Sequence, residues 1–98
     1  MHGEYKTPGG KLVIVDFDIV DDRLANVRVT GDFFLYPDES FPLLQESLEG
    51  ISREMSESAI TERVRLAIPA GTELLGTGPQ GIAIAVQRAL AEASGDVS

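Results

Sequence analysis

Lysines flank a proline–glycine–glycine run at Lys6-Thr7-Pro8-Gly9-Gly10-Lys11, and a carboxylate precedes two aromatics at Thr30-Gly31-Asp32-Phe33-Phe34. The first segment has the make-up of an anion-binding turn. Glycine reaches φ values that aim successive amides one way, and a mobile ammonium group stands at each end. The second segment sets a carboxylate beside aromatic surface, which suits a protein contact or a capped turn. Neither pairs a nucleophile with a base, so these residues fit assisting chemistry on an anion better than performing it. Two plainer readings stay open: an ordinary glycine turn leading into a strand, and core aromatics with Asp32 capping a turn amide.

The functional reading depends on the elements between the two segments. Lys11 to Val20 is β-branched and aromatic, with Val13, Val15, Phe17 and Ile19 on one face by the two-residue period. A turn at Asp21-Asp22 leads into Arg23 to Thr30, where Ala25, Val27 and Val29 share a face. Such an antiparallel hairpin brings the start of its first strand beside the end of its second, so both segments come to one edge of the sheet. Phe33 to Tyr36 reads as a short third strand, ended by Pro37.

The period then becomes helical. Phe41, Leu44 and Leu48 mark a first helix with Asp38 or Ser40 as cap and Gly50 as terminator. Ile60, Val64, Ala67 and Ile68 mark a second after Ser56 or Ser58, stopping before Pro69. Ile82, Val86, Ala89, Leu90 and Ala93 mark a third, with Thr77-Gly78-Pro79-Gln80 at capping-box spacing. The expected class is α+β: a three-stranded antiparallel sheet, hairpin plus short third strand, covered on one face by three helices.

The 98 residues read as a single domain, 1–98, and 43% hydrophobic with 24% charged residues is an ordinary globular balance. No apolar run approaches the roughly 20 residues of a membrane helix, and the first residues lack a secretion signal's apolar core. The absence of cysteine excludes a disulfide framework and a thiolate metal site, which makes the cytoplasm the expected address. A net charge of −8 opposes nucleic-acid and anionic-membrane binding and favours solubility or a basic protein partner.

Three other patterns carry less. Gly76-Thr77-Gly78-Pro79-Gln80-Gly81 has the letters of a dinucleotide-binding loop, but only 17 residues follow Gly81, too few for the second parallel strand and its ribose ligand. It reads as a loop and helix start. Asp16, Asp18, Asp21 and Asp22 lack the glycine and distal glutamate of a calcium loop and read as a solvated face and a turn, so no metal site is expected. His2 falls at a frayed terminus with no partner nearby in sequence, and Met55 reads as core.

Taken with their spacing, Lys6 to Leu12, Val29 to Phe34, Leu48-Glu49-Gly50 and Leu75-Gly76 resemble the accessory domain of lipoate-protein ligase, a likeness spanning most of the chain. In that family a large domain holds lipoate and ATP, and the small domain is needed to form lipoyl-AMP. The resemblance implies a stand-alone small subunit, since the chain opens on its own methionine, and a fold like that of SufE/NifU-type iron–sulfur scaffolds without their cysteines. It implies a non-catalytic role promoting adenylation by a catalytic lipoate-protein ligase subunit. ATP with Mg²⁺ and lipoate are expected only in that complex, with no cofactor, metal cluster, nucleic acid or membrane bound alone. Lys6, Thr7, Pro8, Gly9, Gly10, Lys11, Gly31, Asp32, Phe33 and Phe34 are the expected adenylate-facing or partner-docking residues, with no catalytic residue among them. The alternative is a cysteine-free interaction module of the scaffold fold, unrelated to lipoate metabolism.

Overall fold

Strand pairing begins at the second residue. The computed structural model describes residues 1–95, with side chains to Ala91, and its first element is β1, His2–Lys6. This strand pairs antiparallel with β2, Leu12–Val20, which pairs antiparallel with β3, Arg23–Gly31, in the order β1-β2-β3. The three-stranded antiparallel sheet is therefore present, but its third strand is the N-terminal segment and not Phe33 to Tyr36. That latter segment forms β4, Phe34–Tyr36, which pairs with β5, Glu73–Leu75, in a separate two-stranded ribbon. His-Gly-Glu-Tyr-Lys has no β-branched residue and no alternation, so its strand conformation is imposed by tertiary pairing. His2 is thus ordered and not frayed: its Nδ1 lies 2.6 Å from Asp16 Oδ1 and its Nε2 2.7 Å from Glu4 Oε2.

Asp21 and Asp22 close the β2–β3 hairpin with φ of 52° and 63°, the left-handed pair that a two-residue turn of this kind requires. Between the pairs Asp16–Arg28 and Asp18–Ala25 the register slips, because β3 carries one extra residue at Asn26, whose φ is 55°. The bulge has a consequence for the core. It turns Leu24, which strict alternation puts on the wet face, to the same side as Val27 and Val29, and all three are buried. The carboxylate of Glu49 accepts from the amides of Asn26 at 3.2 Å and Val27 at 2.6 Å, and Gln45 Oε1 accepts from the Val29 amide at 2.8 Å. The open edge of β3 is thereby closed by side chains at Asn26, Val27 and Val29, and by the backbone of Gly50 and Ile51 at Leu24.

These acceptors come from and just beyond α1, Ser40–Leu48, in which Leu44 and Leu48 are buried and Pro42 sits in the first turn. Its N-cap is Glu39 without a side-chain bond, so neither Asp38 nor Ser40 caps it. Ser40 is instead a buried first-turn residue whose Oγ lies 3.1 Å from Thr72 Oγ1. In α2, Glu57–Ala67, Ser56 is the cap and accepts from the Ala59 amide at 3.2 Å. The longest helix, α3, Pro79–Gly95, lies across β1 and β2, while α1 lies on β3. Among the described residues only these two helices meet the sheet; α2 packs on them as a second tier.

Helix α3 lies between sheet and helix, so its buried surface is wider than one stripe: Ala83 and Ala85 join Ile82, Val86, Ala89 and Leu90. The side chain of Ala93, placed on that face by its spacing, is outside the described residues. Gly3 makes the close crossing over β1 possible, since a Cβ there would lie 2.5 Å from the Ala89 amide nitrogen and closer still to the Ala85 carbonyl. Among the described residues no helix is long and apolar enough to cross a membrane.

Candidate functional site

The site is built at the end of the sheet where β1 passes into β2. Thr7-Pro8-Gly9-Gly10 is a tight turn closed by the Gly10 amide donating to the Thr7 carbonyl at 2.7 Å, with Gly9 at φ 72°. A proline in the second position and a left-handed glycine in the third are what that turn demands. The Thr7 amide donates to the Lys11 carbonyl at 3.2 Å, so Lys6 and Lys11 are held as the two arms of the turn, and both side chains are exposed. The turn spends the Gly10 amide on itself. Of the Gly9–Gly10 amide pair that the sequence suggests for an anion, the Gly10 amide is thereby engaged within the turn.

The second segment arrives beside it. Gly31 pairs with Val13 at the end of the β2–β3 ladder, and the Asp32 amide donates to the Leu12 carbonyl at 3.1 Å. The Asp32 side chain is exposed. Phe33 turns inward and packs against the core, whereas Phe34 turns outward with 69% of its surface exposed. Adjacent aromatics thus have opposite duties. Phe33 fastens the corner, and Phe34 belongs to the surface.

A third segment, which the sequence reading treats only as a loop and helix start, joins the two corners. The Gly76 carbonyl accepts from the Lys11 amide at 2.7 Å, and Thr77 Oγ1 lies 2.9 Å from Thr7 Oγ1. Gly76 has φ 93°, and a Cβ there would meet Lys11 Cγ at 2.5 Å and the Phe33 Cα at 3.6 Å. Glycine is required on both counts, conformation and space. The Gly76 to Gly81 run has a strand before it, β5, but that strand is antiparallel to β4, so the nucleotide-binding topology is not what its letters signify. Thr77 Oγ1 meets Thr7 Oγ1 across the loops, and α3 begins two residues later at Pro79. The sequence signal for this segment is Leu75-Gly76, which is among the stretches carrying the resemblance.

Two open clefts lie away from this corner. One, of about 270 Å³, is lined by Met1, Asp16, Phe17, Asp18, Asn26 and Arg28. The other, of about 250 Å³, is lined chiefly by Ile68, Pro69, Ala70, Thr72, Leu74 and Pro79. Neither includes Lys6, Lys11 or Asp32. Among the described residues no group of three or more metal-ligating side chains converges. The corner is an exposed rim carrying two cations, one carboxylate and one aromatic, without a nucleophile–base pair.

No family model matches the chain. A curated relative, lipoate-protein ligase A subunit 2 of Thermoplasma acidophilum, is 31% identical over 51 residues, which is 52% of this chain and 54% of that subunit. The chain spans about half the length of the curated relative it matches. In solved structures it is similar to a chain from an archaeal lipoylation system, a bipartite lipoate protein ligase and its E2 lipoyl domain from T. acidophilum. That likeness has a TM-score of 0.67 at 24% identity over 88% of this chain and 92% of the other, and it shows the fold. Both comparisons fall on the group that the Lys6–Leu12 and Gly31–Phe34 motifs resemble.

Proposed function

We propose that this chain is the non-catalytic small subunit of a two-component lipoate-protein ligase, docking on a catalytic subunit and promoting its adenylation of lipoate by ATP. The observation that carries the reading is the rim itself: Lys6, Lys11, Asp32 and Phe34 gathered at one exposed corner by Gly76, with no group there able to act as nucleophile and base. The relative's name and the shared fold support it. ATP with Mg²⁺ and lipoate are then substrates of the complex, held chiefly by the catalytic subunit. We read the layering as a cysteine-free version of the iron–sulfur scaffold fold and the address as cytoplasmic.

In the adenylation step a lipoate carboxylate oxygen bonds to the α-phosphorus of ATP, and the bond from that phosphorus to the bridging oxygen breaks. Lipoyl-AMP forms and pyrophosphate leaves with the extra negative charge. Lys6 and Lys11, presented to the partner's site by the closed Thr7–Gly10 turn, would face that charge as it develops, where water is excluded and a cation is worth most. Asp32 orders or seats the corner, and Thr7, Pro8, Gly9, Gly10 and Gly31 set its backbone.

The test is lipoate-dependent ATP–pyrophosphate exchange by the catalytic subunit, with and without this chain. Stimulation by the chain, and none from the chain alone, is the expected result. No stimulation would overturn the proposal and favour an interaction module unconnected with lipoate.

A further inference from the structure

The β4–β5 ribbon presents an apolar face to solvent. Phe34 pairs with Leu75 and Tyr36 with Glu73, so the period of two puts Phe34, Tyr36 and Leu75 together on one side. They are 69%, 68% and 55% exposed. On the other side Leu35 is 8% exposed and Leu74 packs against the core. A ribbon of two three-residue strands is too short to stand alone, and these two inward leucines fasten it to the domain. The chain has six aromatic residues, four Phe and two Tyr, and two of them lie side by side in water here. Adjoining exposed aromatics of this kind mark a surface that another protein covers.

We infer that this face is the seat of the catalytic subunit, and that its complement there is an apolar depression rimmed by lysine or arginine. The inference rests on the function proposed above and adds Tyr36 and Leu75 to the residues that function involves. Two observations select the occupant. The first is charge: Asp32, Asp38, Glu39 and Glu73, all exposed, lie in or next to the ribbon, on a chain of net charge −8. A second copy would set these carboxylates against their like, whereas a basic rim pairs them. The second is continuity. Leu75 is followed directly by Gly76, whose carbonyl holds the Lys11 amide, so a protein seated on Phe34, Tyr36 and Leu75 has the Lys6–Lys11 turn against its margin. One rigid corner then both docks and delivers the cations.

The experiment measures binding of the purified full chain to the purified catalytic subunit by calorimetry, for wild type, the double variant Phe34→Ser/Tyr36→Ser, Glu73→Lys and, as a control, Val20→Ser. Val20 is also exposed but stands at the other end of the hairpin. The double variant should keep the wild-type circular dichroism spectrum and lose affinity about 100-fold, as loss of paired aromatic anchors does. Glu73→Lys should weaken binding at low salt, and Val20→Ser should change nothing. A folded double variant that binds within threefold of wild type overturns the inference while leaving the accessory role standing. Failure of the wild type to bind overturns both. Dimers of wild type that become monomers in the double variant would make the occupant a second copy and overturn the choice made here, and an unaltered Glu73→Lys affinity would overturn the basic rim.

Discussion

A lysine on an exposed turn contributes little to anything in bulk water, because solvent screens its charge; the same group aimed into a closed site acts at low dielectric. Lys6 and Lys11 are in the first condition in the isolated chain, and on the proposed function they enter the second in the complex. Lys6→Ala/Lys11→Ala is therefore expected to leave the melting temperature and complex formation unchanged while adenylation falls about 100-fold. Unaltered adenylation in an intact complex would mean that the subunit acts by closing the site and not by contact. His2 offers a separate residue-scale test. Hydrogen bonds donated by its ring to the carboxylates of Glu4 and then Asp16 favour its protonated form and raise its pKa above the ordinary 6.5. A raised folded-state pKa means that the proton binds more tightly in the folded chain. The contribution to stability is complete below pH 6.5 and is lost as the pH rises through the folded-state value. Melting temperature should thus fall across that window in the wild type, and His2→Gln should flatten the fall; an NMR titration midpoint at or below 6.5 would contradict this. Glu4 is two residues from His2 and shares its strand face, whereas Asp16 meets it only through the β1–β2 register.

At the scale of elements, small residues and one carboxylate do what strands and caps usually do. Gly3 lets α3 cross β1 in contact with its backbone, so Gly3→Ala should cost about 1–3 kcal/mol through overpacking. In a domain of this size that lowers the melting temperature by roughly 4–8 °C per kcal/mol. Glu49 accepts from two amides at the β3 bulge, and Glu49→Ala, which strands them, should cost about 1–3 kcal/mol in chemical denaturation at unchanged m. These two residues also mark where pattern reading ends. The hairpin, its Asp21-Asp22 turn and the three helices follow from local periodicity and turn chemistry, which the chain expresses within a few residues. The bulge at Asn26 and the β4–β5 pairing depend on partners distant in sequence, in the last case about forty residues away, and no short-range signal encodes them. The strand at His2–Lys6 has its partner close by, in β2 across the Thr7–Gly10 turn, but its own residues lack strand patterning. The candidate site divides the same way: two of its segments announce themselves by composition and by the hairpin between them. The third, at Gly76, meets them only because α3 must return across β1 and β2.

For the whole molecule the decisive quantity is charge. Eight cationic against 16 anionic side chains make the body acidic as a whole, and Lys6 and Lys11 stand on the two arms of one exposed turn of it. Such a body is repelled by nucleic acid and anionic lipid and attracted by a basic protein surface. On the proposed function the chain must find its partner by diffusion, so the field matters for the rate of encounter before any contact forms. If the partner's seat is rimmed by lysine or arginine, attraction over about 10 Å at 0.1 M salt speeds association and fades as salt shortens that range. Stopped-flow association with the catalytic subunit should accordingly slow about tenfold between 0.05 and 0.5 M NaCl. Dissociation should change far less, because on the inferred seat it is governed by the apolar contacts of Phe34, Tyr36 and Leu75, which salt does not weaken. An association rate indifferent to salt would make the acidity a solubility feature only and would leave the apolar ribbon to select the partner without electrostatic help.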